Sequence, residues 1–174
     1  MPRVWVSIGS NVERERHVRA AVAELREMFG ALAVSPVYES RAVGAKDAPP
    51  FYNLVVGFET DESAEHLTRR FRAMEHAHGR RRSGDKFAPR TLDVDLLTYG
   101  DQVLRSDGLE IPRDEITRYA FVLRPLADLA GNERHPLTGR TYRELWADFD
   151  ATGQPLWPVD LDLNAGSSVP RPRQ

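Results

Sequence analysis

Residues 51–98, FYNLVVGFETDESAEHLTRRFRAMEHAHGRRRSGDKFAPRTLDVDLLT, read in turn as strand, helix, loop and strand. Residues 51–59 (FYNLVVGFE) are dense in aromatic and β-branched side chains, which suit a pleated surface. Ser63 caps a helix that carries Leu67, Phe71, Met74 and His78 on one side, and Gly79 ends it. Residues 80–89 (RRRSGDKFAP) have no period and contain Gly84 and Pro89, so they form a loop. Residues 91–98 (TLDVDLLT) alternate again, with Leu92, Val94 and Leu96 on one face.

A second strand–helix–strand unit precedes this one. Val4, Val6 and Ile8 alternate with Trp5 and Ser7, and Gly9-Ser10-Asn11 breaks the run. Ser10 and Glu13 have capping-box spacing, so a helix is expected to start there, with Val18, Val22, Leu25 and Phe29 as its buried stripe and Gly30 as its stop. Residues 31–39 (ALAVSPVYE) read as a strand in which Pro36 marks an edge or a bulge. The order β-α-β-β-α-β predicts an α+β, ferredoxin-like core: a mostly antiparallel sheet with both helices on one face. Downstream, a short strand at 102–105, a short helix near Tyr119–Leu123 and a helix opened by the Thr141/Glu144 capping box are expected as an added hairpin and helix region. One domain is expected over 1–150, with 151–174 as a loosely packed or disordered tail.

The composition excludes several classes. The chain has 174 residues, 24 Lys+Arg and 26 Asp+Glu, a net charge of −2, which argues against a nucleic-acid coat or a polybasic membrane-surface protein. It has no cysteine, hence no disulfide, thiolate metal site or Cys nucleophile, and it suits a cytoplasmic setting. No run approaches the ~20 apolar residues of a membrane span. Met1-Pro2-Arg3-Val4 enters a strand-like segment at once, so no signal peptide is expected. The average hides a local excess. Between Arg69 and Arg90 lie eight basic and two acidic residues, a net of +6, while the remainder holds 16 basic and 24 acidic, a net of −8. A solvated helix face and loop would explain the run by itself; its neighbour does not fit that account.

That neighbour is Asp93-Val94-Asp95. Asp is a poor strand former, and two at i and i+2 place both carboxylates on one face, Cα atoms roughly 6.5–7 Å apart. Held together they repel and lose hydration unless a cation joins them. All-oxygen ligands favour Mg²⁺. Arg80, Arg82, Lys86 and Arg90 lie just upstream, as phosphoryl transfer requires, because its transition state is stabilised by charge and positioning. The alternative is a solvent-facing strand with two harmless carboxylates. There is no GxxxxGK[ST] loop. Asn53 interrupts an apolar strand next to Phe51 and Tyr52; its amide suits a heterocycle edge and Phe51 suits a ring face, although either also fits an ordinary core position. The five histidines show no metal-ligand spacing, and His66, His76 and His78 read as helix surface or its edge.

GSN at 9–11, Phe-x-Asn at 51–53, E-x-x-x-G-R-x-R at 75–82 and A-P-R-T-L-D-V-D at 88–95 together resemble the 6-hydroxymethyl-7,8-dihydropterin pyrophosphokinase family, from about Val4 to Leu126. The resemblance implies transfer of the pyrophosphoryl group of ATP to the pterin hydroxymethyl in folate biosynthesis, with two Mg²⁺ ions. It implies that Asp93 and Asp95 hold the metals. Arg72, Glu75, Arg80, Arg82, Arg90, Arg113 and Arg118 would line the ATP site, with Arg82, Lys86 and Arg90 neutralising developing charge. The pterin would meet Ser40, Arg41, Val43, Phe51, Asn53, Asp93 and Phe121. The chain departs from the family pattern in Lys86-Phe87-Ala88 for Arg-Trp-Gly, Pro112-Arg113 for Pro-His, Tyr119 for Arg, and Arg72 where Gln is frequent. Small-molecule partners only, and a monomer, are expected. Two rival readings are a divergent member that binds pterin or nucleotide without efficient catalysis, and an RNA-binding module of the same strand–helix order. The second lacks the K/R-G-F/Y-G/A-F pattern.

Overall fold

A computed structural model describes residues 1–41, 48–79, 91–106 and 108–163. Its elements are β1 (Arg3–Ser10), α1 (Arg14–Phe29), β2 (Ala33–Val34), β3 (Val37–Ser40), β4 (Phe51–Glu59), α2 (Ala64–Ala77), β5 (Asp93–Tyr99), β6 (Leu104–Ser106), β7 (Leu109–Ile111), α3 (Glu115–Arg118), α4 (Ala120–Ala130), α5 (Tyr142–Ala147) and β8 (Leu156–Val159). The main sheet runs β5-β1-β4-β3-β8, with β2 also on β4, and its pairings are antiparallel. This is the expected ferredoxin-like order, and β6–β7 and α3–α5 form the added hairpin and helices.

Strand alternation sorts the side chains. Val4, Val6, Ile8, Leu54, Val56, Phe58 and Val94 point to the face covered by Val18, Val22 and Leu25 of α1 and Leu67, Phe71 and Met74 of α2. Trp5, Val55 and Leu97 point the other way, against Val122, Leu123 and Leu126 of α4 and Tyr142 of α5. A register shift between Trp5 and Val6 opposite β5 resets the alternation, so that Tyr99, three residues on, faces the same way as Leu96. The Tyr38 hydroxyl hydrogen-bonds Asp128 and ties α4 to β3. Ser63 caps α2 through the His66 N–H at 3.1 Å, and Thr141 and Glu144 form the reciprocal capping box of α5.

Four expectations change. First, α1 starts at Arg14, not at Ser10. Ser10 still pairs with Tyr52 in the ladder, its hydroxyl donates to Val12 O, and Glu13, at φ 43, turns the chain into the helix without a side-chain cap. Second, the strand at 31–39 is broken at Ser35-Pro36. Ser35 takes over the ladder locally, its N–H donating to Val55 O and its Oγ accepting from Val55 N, both at 2.9 Å. Beyond the break β3 is internal, because β8, which carries Pro158, adds to it and takes the edge. Third, residues 151–163 are therefore not a loose tail: β8 pairs with β3 and Leu163 is buried in the core. Residues 164–174 lie outside the described residues. Fourth, the short helix expected near Tyr119–Leu123 is α4, which runs on to Ala130, and the one-turn α3 precedes it.

His78 also turns inward rather than to the surface. Its Nδ1 lies 2.7 Å from His17 Nδ1 and its Nε2 2.8 Å from Glu24 Oε2, while Arg16 approaches His17 Nε2 at 3.4 Å. Neutral rings satisfy all three contacts if His17 donates to His78 and His78 donates to Glu24. Burial, then the neighbouring His78 and Arg16, holds His17 below its ordinary 6.5. Burial does the same to His135, whose Nδ1 accepts the Leu137 and Thr138 N–H groups. The unfolded chain therefore takes up protons first as pH falls through 6.5. Stability from these rings is full above that value and is lost as pH falls toward their depressed folded values. The urea midpoint should fall between about pH 7.5 and about 5.5; a flat or rising profile would contradict the lowered pKa of His17 and His135.

Candidate active site

One cross-strand row builds the floor of the site. Asp93 on β5 pairs with Gly9 on β1, Gly9 pairs with Asn53 on β4, and Asn53 pairs with Tyr38 on β3. The next row holds Asp95, Ser7 and Val55. Period-two alternation puts Asp93, Asp95, Asn53 and Phe51 on the face that carries α4, toward one end of the strands. Gly9 leaves the middle of the row without a side chain. A Cβ there would come within 2.8 Å of Asn53 Oδ1 and 3.7 Å of Phe51 Cδ1, so the glycine keeps a cradle open between the amide and the carboxylates.

The carboxylate end has a third member. Ligand oxygens of Glu75, Asp93 and Asp95 all lie within 4.8 Å of one another, with Glu75 and Asp95 buried. Glu75 reaches this place around the edge of β5 that no strand pairs among the described residues. Its Oε2 accepts the Val94 N–H at 2.8 Å, and Arg72, one helical turn earlier on α2, donates to Val94 O at 3.3 Å. The two side chains thus satisfy the outward-facing peptide groups of an edge strand as another strand would. Arg72 Nη1 also donates to Glu75 Oε1 at 2.6 Å and its Nη2 to Asp95 Oδ1 at 2.9 Å. From the other side Arg113 approaches Asp95 Oδ1 at 3.9 Å while pairing with Glu115 at 2.7 Å.

Burial, and then the Asp93 charge, push the Asp95 carboxyl above its ordinary value; Arg113 and Arg72 oppose them. For both arginines burial works against the charged form, and the surrounding carboxylates outweigh it and raise the pKa. Three clustered carboxylate donors without nitrogen or sulfur, beside an open cradle, fit a hard divalent cation that also takes phosphate oxygens.

At the other end of the row, Asn53 Nδ2 donates to the buried Ser40 Oγ at 2.7 Å. That bond orients the amide with Oδ1 toward the Gly9 cradle. Phe51 is half-buried beside it, and Phe121 at the start of α4 stacks on Tyr119, centroids 5.1 Å apart. The segment that leads into Phe51 is held by α1 and the turn before it. Asn11 Nδ2 donates to Pro49 O and Arg14 to Pro50 O, each at 3.1 Å, and the Arg14 guanidinium lies 3.8 Å over the Tyr52 ring.

The fold thus assembles Arg72, Glu75, Asp93, Asp95 and Arg113 at one end of the row and Ser40, Phe51 and Asn53 at the other. Arg41 is exposed at the end of β3. Arg118 is exposed, paired with Asp114 at 3.1 Å and set 5.4 Å over the Tyr119 ring. Val43, Arg80, Arg82, Lys86 and Arg90 lie outside the described residues. Sequence reasoning placed Glu75 and Arg72 with the nucleotide and did not see them as partners of the β5 edge. The i, i+3 spacing of an Arg and a Glu on α2 was the available signal, but nothing local aims it at Asp95. Gly9 likewise has no local signal, because one glycine in a turn carries little information until its neighbours across the sheet are known.

Fold and site together define a ferredoxin-like α+β protein with a buried acidic cluster at one end of the sheet face. Residues 5–131 match the family model described as 7,8-dihydro-6-hydroxymethylpterin-pyrophosphokinase (HPPK). The 2-amino-4-hydroxy-6-hydroxymethyldihydropteridine pyrophosphokinase of Pseudomonas aeruginosa is 38% identical over 148 residues, which cover 83% of this chain and 90% of that protein. The folic acid synthesis protein fol1 of Pneumocystis carinii is 34% identical over 152 residues, covering 84% of this chain but only 20% of that longer protein. Among solved structures, a Plasmodium falciparum HPPK-DHPS triple mutant superposes with a TM-score of 0.65 at 13% identity, over 84% of this chain and 43% of that one, a likeness of fold. The chain belongs to the 7,8-dihydro-6-hydroxymethylpterin-pyrophosphokinase family, whose reaction is pyrophosphoryl transfer to the hydroxymethyl pterin of folate synthesis.

Proposed function

We propose that this chain transfers the pyrophosphoryl group from ATP, in a Mg²⁺-dependent reaction, to 6-hydroxymethyl-7,8-dihydropterin and releases AMP. The observation that carries the proposal is the placement of the Asp93 carboxylate and the Asn53 amide on either side of Gly9 in one cross-strand row, with Asp95 in the next row on the same face. Asp93 and Asp95 would hold two Mg²⁺ ions, which when bound supply charge neutralisation and alignment to the phosphate oxygens. The pterin hydroxymethyl oxygen forms a bond to the β-phosphorus, and the bond from that phosphorus to the α,β-bridging oxygen breaks in line. The hydroxyl proton is lost to solvent; no side chain is assigned as general base.

The chain's own residues do the positioning. Asn53 Oδ1 accepts from the pterin amine edge, oriented by Ser40. Phe51 and Phe121 flank the ring, and Ser40, Arg41 and Val43 border it. Arg72, Arg113 and Glu75 stand beside the phosphates, and Arg80, Arg82, Lys86, Arg90 and Arg118 are proposed to bind ATP or to neutralise charge from the basic segment and α3. We also read the protein as a cytoplasmic monomer without nucleic-acid or membrane partners. The balanced charge and absence of cysteine support that reading; among the described residues no helix is long and apolar enough to cross a membrane.

The test is AMP release from ATP in the presence of the hydroxymethyl pterin and Mg²⁺. No pterin-dependent release would sink the proposal in favour of a binding protein. Asn53→Ala should raise the pterin KM by about 10- to 100-fold, the cost of an orphaned hydrogen-bonding partner in a closed site. The KM for ATP should change little. Equal effects on both substrates would remove Asn53 from pterin recognition.

A further inference from the structure

We propose that Arg72 is the internal counter-ion of the metal-free site: its guanidinium holds Asp95 until a divalent cation displaces it, then pivots on Glu75 and turns toward the anionic nucleotide. The inference rests on the metal reading of Asp93 and Asp95, and it concerns what that site does before it is loaded.

The geometry separates the two halves of the guanidinium. Nη1 is anchored: it donates to Glu75 Oε1 at 2.6 Å and to Val94 O at 3.3 Å. Glu75 is itself fixed by the Val94 N–H and is only 2% exposed, so this anchor is held to the β5 edge independently of Asp95. Nη2 instead donates to Asp95 Oδ1 at 2.9 Å, and Asp95 is a member of the cluster that would take the metal. Arg113 cannot replace it closely, being 3.9 Å away and committed to Glu115 at 2.7 Å.

A buried carboxylate beside a second one is costly without a cation. Arg72 supplies that cation from within the chain, which keeps the empty site folded and charged. It also shares the charge of a carboxylate that the metal would use, and it repels the metal electrostatically. In this proposal the arriving charge of the metal breaks the Nη2 contact. The Glu75 anchor then leaves Arg72 with a free donor edge beside the phosphates, where a planar guanidinium binds anions in fork geometry. Arg72 is in this account a positioning residue with opposite effects on two ligands: it weakens binding of metal alone and strengthens binding of the metal–nucleotide pair. A purely structural clamp on the β5 edge would have effects of one sign.

The experiment uses the full chain. Mn²⁺ alone is titrated and its free fraction read by electron paramagnetic resonance; Mn²⁺ with α,β-methylene ATP is then titrated by calorimetry. Arg72→Gln keeps amide donors for Glu75 and Val94 O but no charge, and it should bind Mn²⁺ alone about tenfold tighter and the metal–nucleotide pair about tenfold weaker, the size of one lost charge-assisted contact. Arg72→Lys should stay within about twofold of wild type for Mn²⁺ alone, since the charge is retained. In the wild-type protein, saturating Mg²⁺ without nucleotide should shift the Arg72 guanidinium nitrogen–proton resonances. This readout holds even if a variant fails to fold. Unchanged resonances, or an Arg72→Gln protein with unaltered or weaker Mn²⁺ affinity, would overturn the counter-ion role. Asp95→Asn separates the two readings: if it binds Mn²⁺ as wild type does, the metal assignment itself fails.

Discussion

Asp95→Ala is expected to abolish AMP release, lowering kcat by about a thousandfold or more, while the protein stays folded. Asp95 is the most enclosed member of the proposed metal pair, 6% exposed, with Asp93 on the same strand face and Glu75 across the edge. Its removal takes away a ligand that water cannot replace at the same place and charge. The fold should tolerate the loss because Asp95 carries the cost of burial and of the Asp93 charge. The two guanidiniums left behind keep other partners, Arg72 with Glu75 and Arg113 with Glu115. Pterin-dependent AMP release and a thermal melt on the same sample check this. Near-wild-type turnover would end the metal assignment, and an unfolded protein would show that Asp95 serves stability instead. Asp95→Asn should fall almost as far in activity, since it keeps the shape but not the charge.

Gly57→Ala is expected to cost about 3 kcal/mol of folding stability, in the range of overpacked cores. Gly57 stands directly opposite Trp5 in the β1–β4 ladder. A Cβ on Gly57 would fall 2.2 Å from Cζ3 and 2.4 Å from Cε3 of that indole. The indole has no room to retreat. Trp5 is 4% exposed, packed among Val55, Leu97, Val122 and Leu126, and its Nε1 donates to Glu133 Oε1 at 3.2 Å. For a chain of this size the loss should lower Tm by about 6–12 °C. Urea unfolding gives the value directly. Because the clash is pairwise, Trp5→Val should absorb part of it, so the double variant should be less destabilised than the sum of the singles. A single variant within about 0.5 kcal/mol of wild type would mean that the sheet accommodates the methyl by shifting β1.

Much of the architecture is legible along the chain because its signals are local. Ser63 and the Thr141/Glu144 box cap helices through atoms three residues away, and the structure contains both. The Ser10/Glu13 spacing has the same form and fails, because Ser10 remains in the ladder opposite Tyr52 and a three-residue turn has to follow. A capping pattern is thus informative only where the sheet has already released the chain. The stretch 151–163 misleads for a related reason. Its Pro and Gly content suggests a tail, yet an edge strand needs only a few residues and an open neighbour, which β3 supplies.

By itself the sequence determined the β-α-β-β-α-β order, the face on which Asp93 and Asp95 lie, and the family to which their motif is similar. These follow from the periods of two and 3.6 and from residues adjacent in the chain. Tertiary structure alone decided what meets those carboxylates. Arg72 and Glu75 are about twenty residues away and reach Asp95 only because α2 packs along the edge of β5, where their side chains take the Val94 peptide groups. Gly9 becomes a cradle only when β4 and β5 pair on either side of it. Which cation holds Asp95 is a property of that packing, since charge interactions depend on distance through space and burial rather than on separation along the chain.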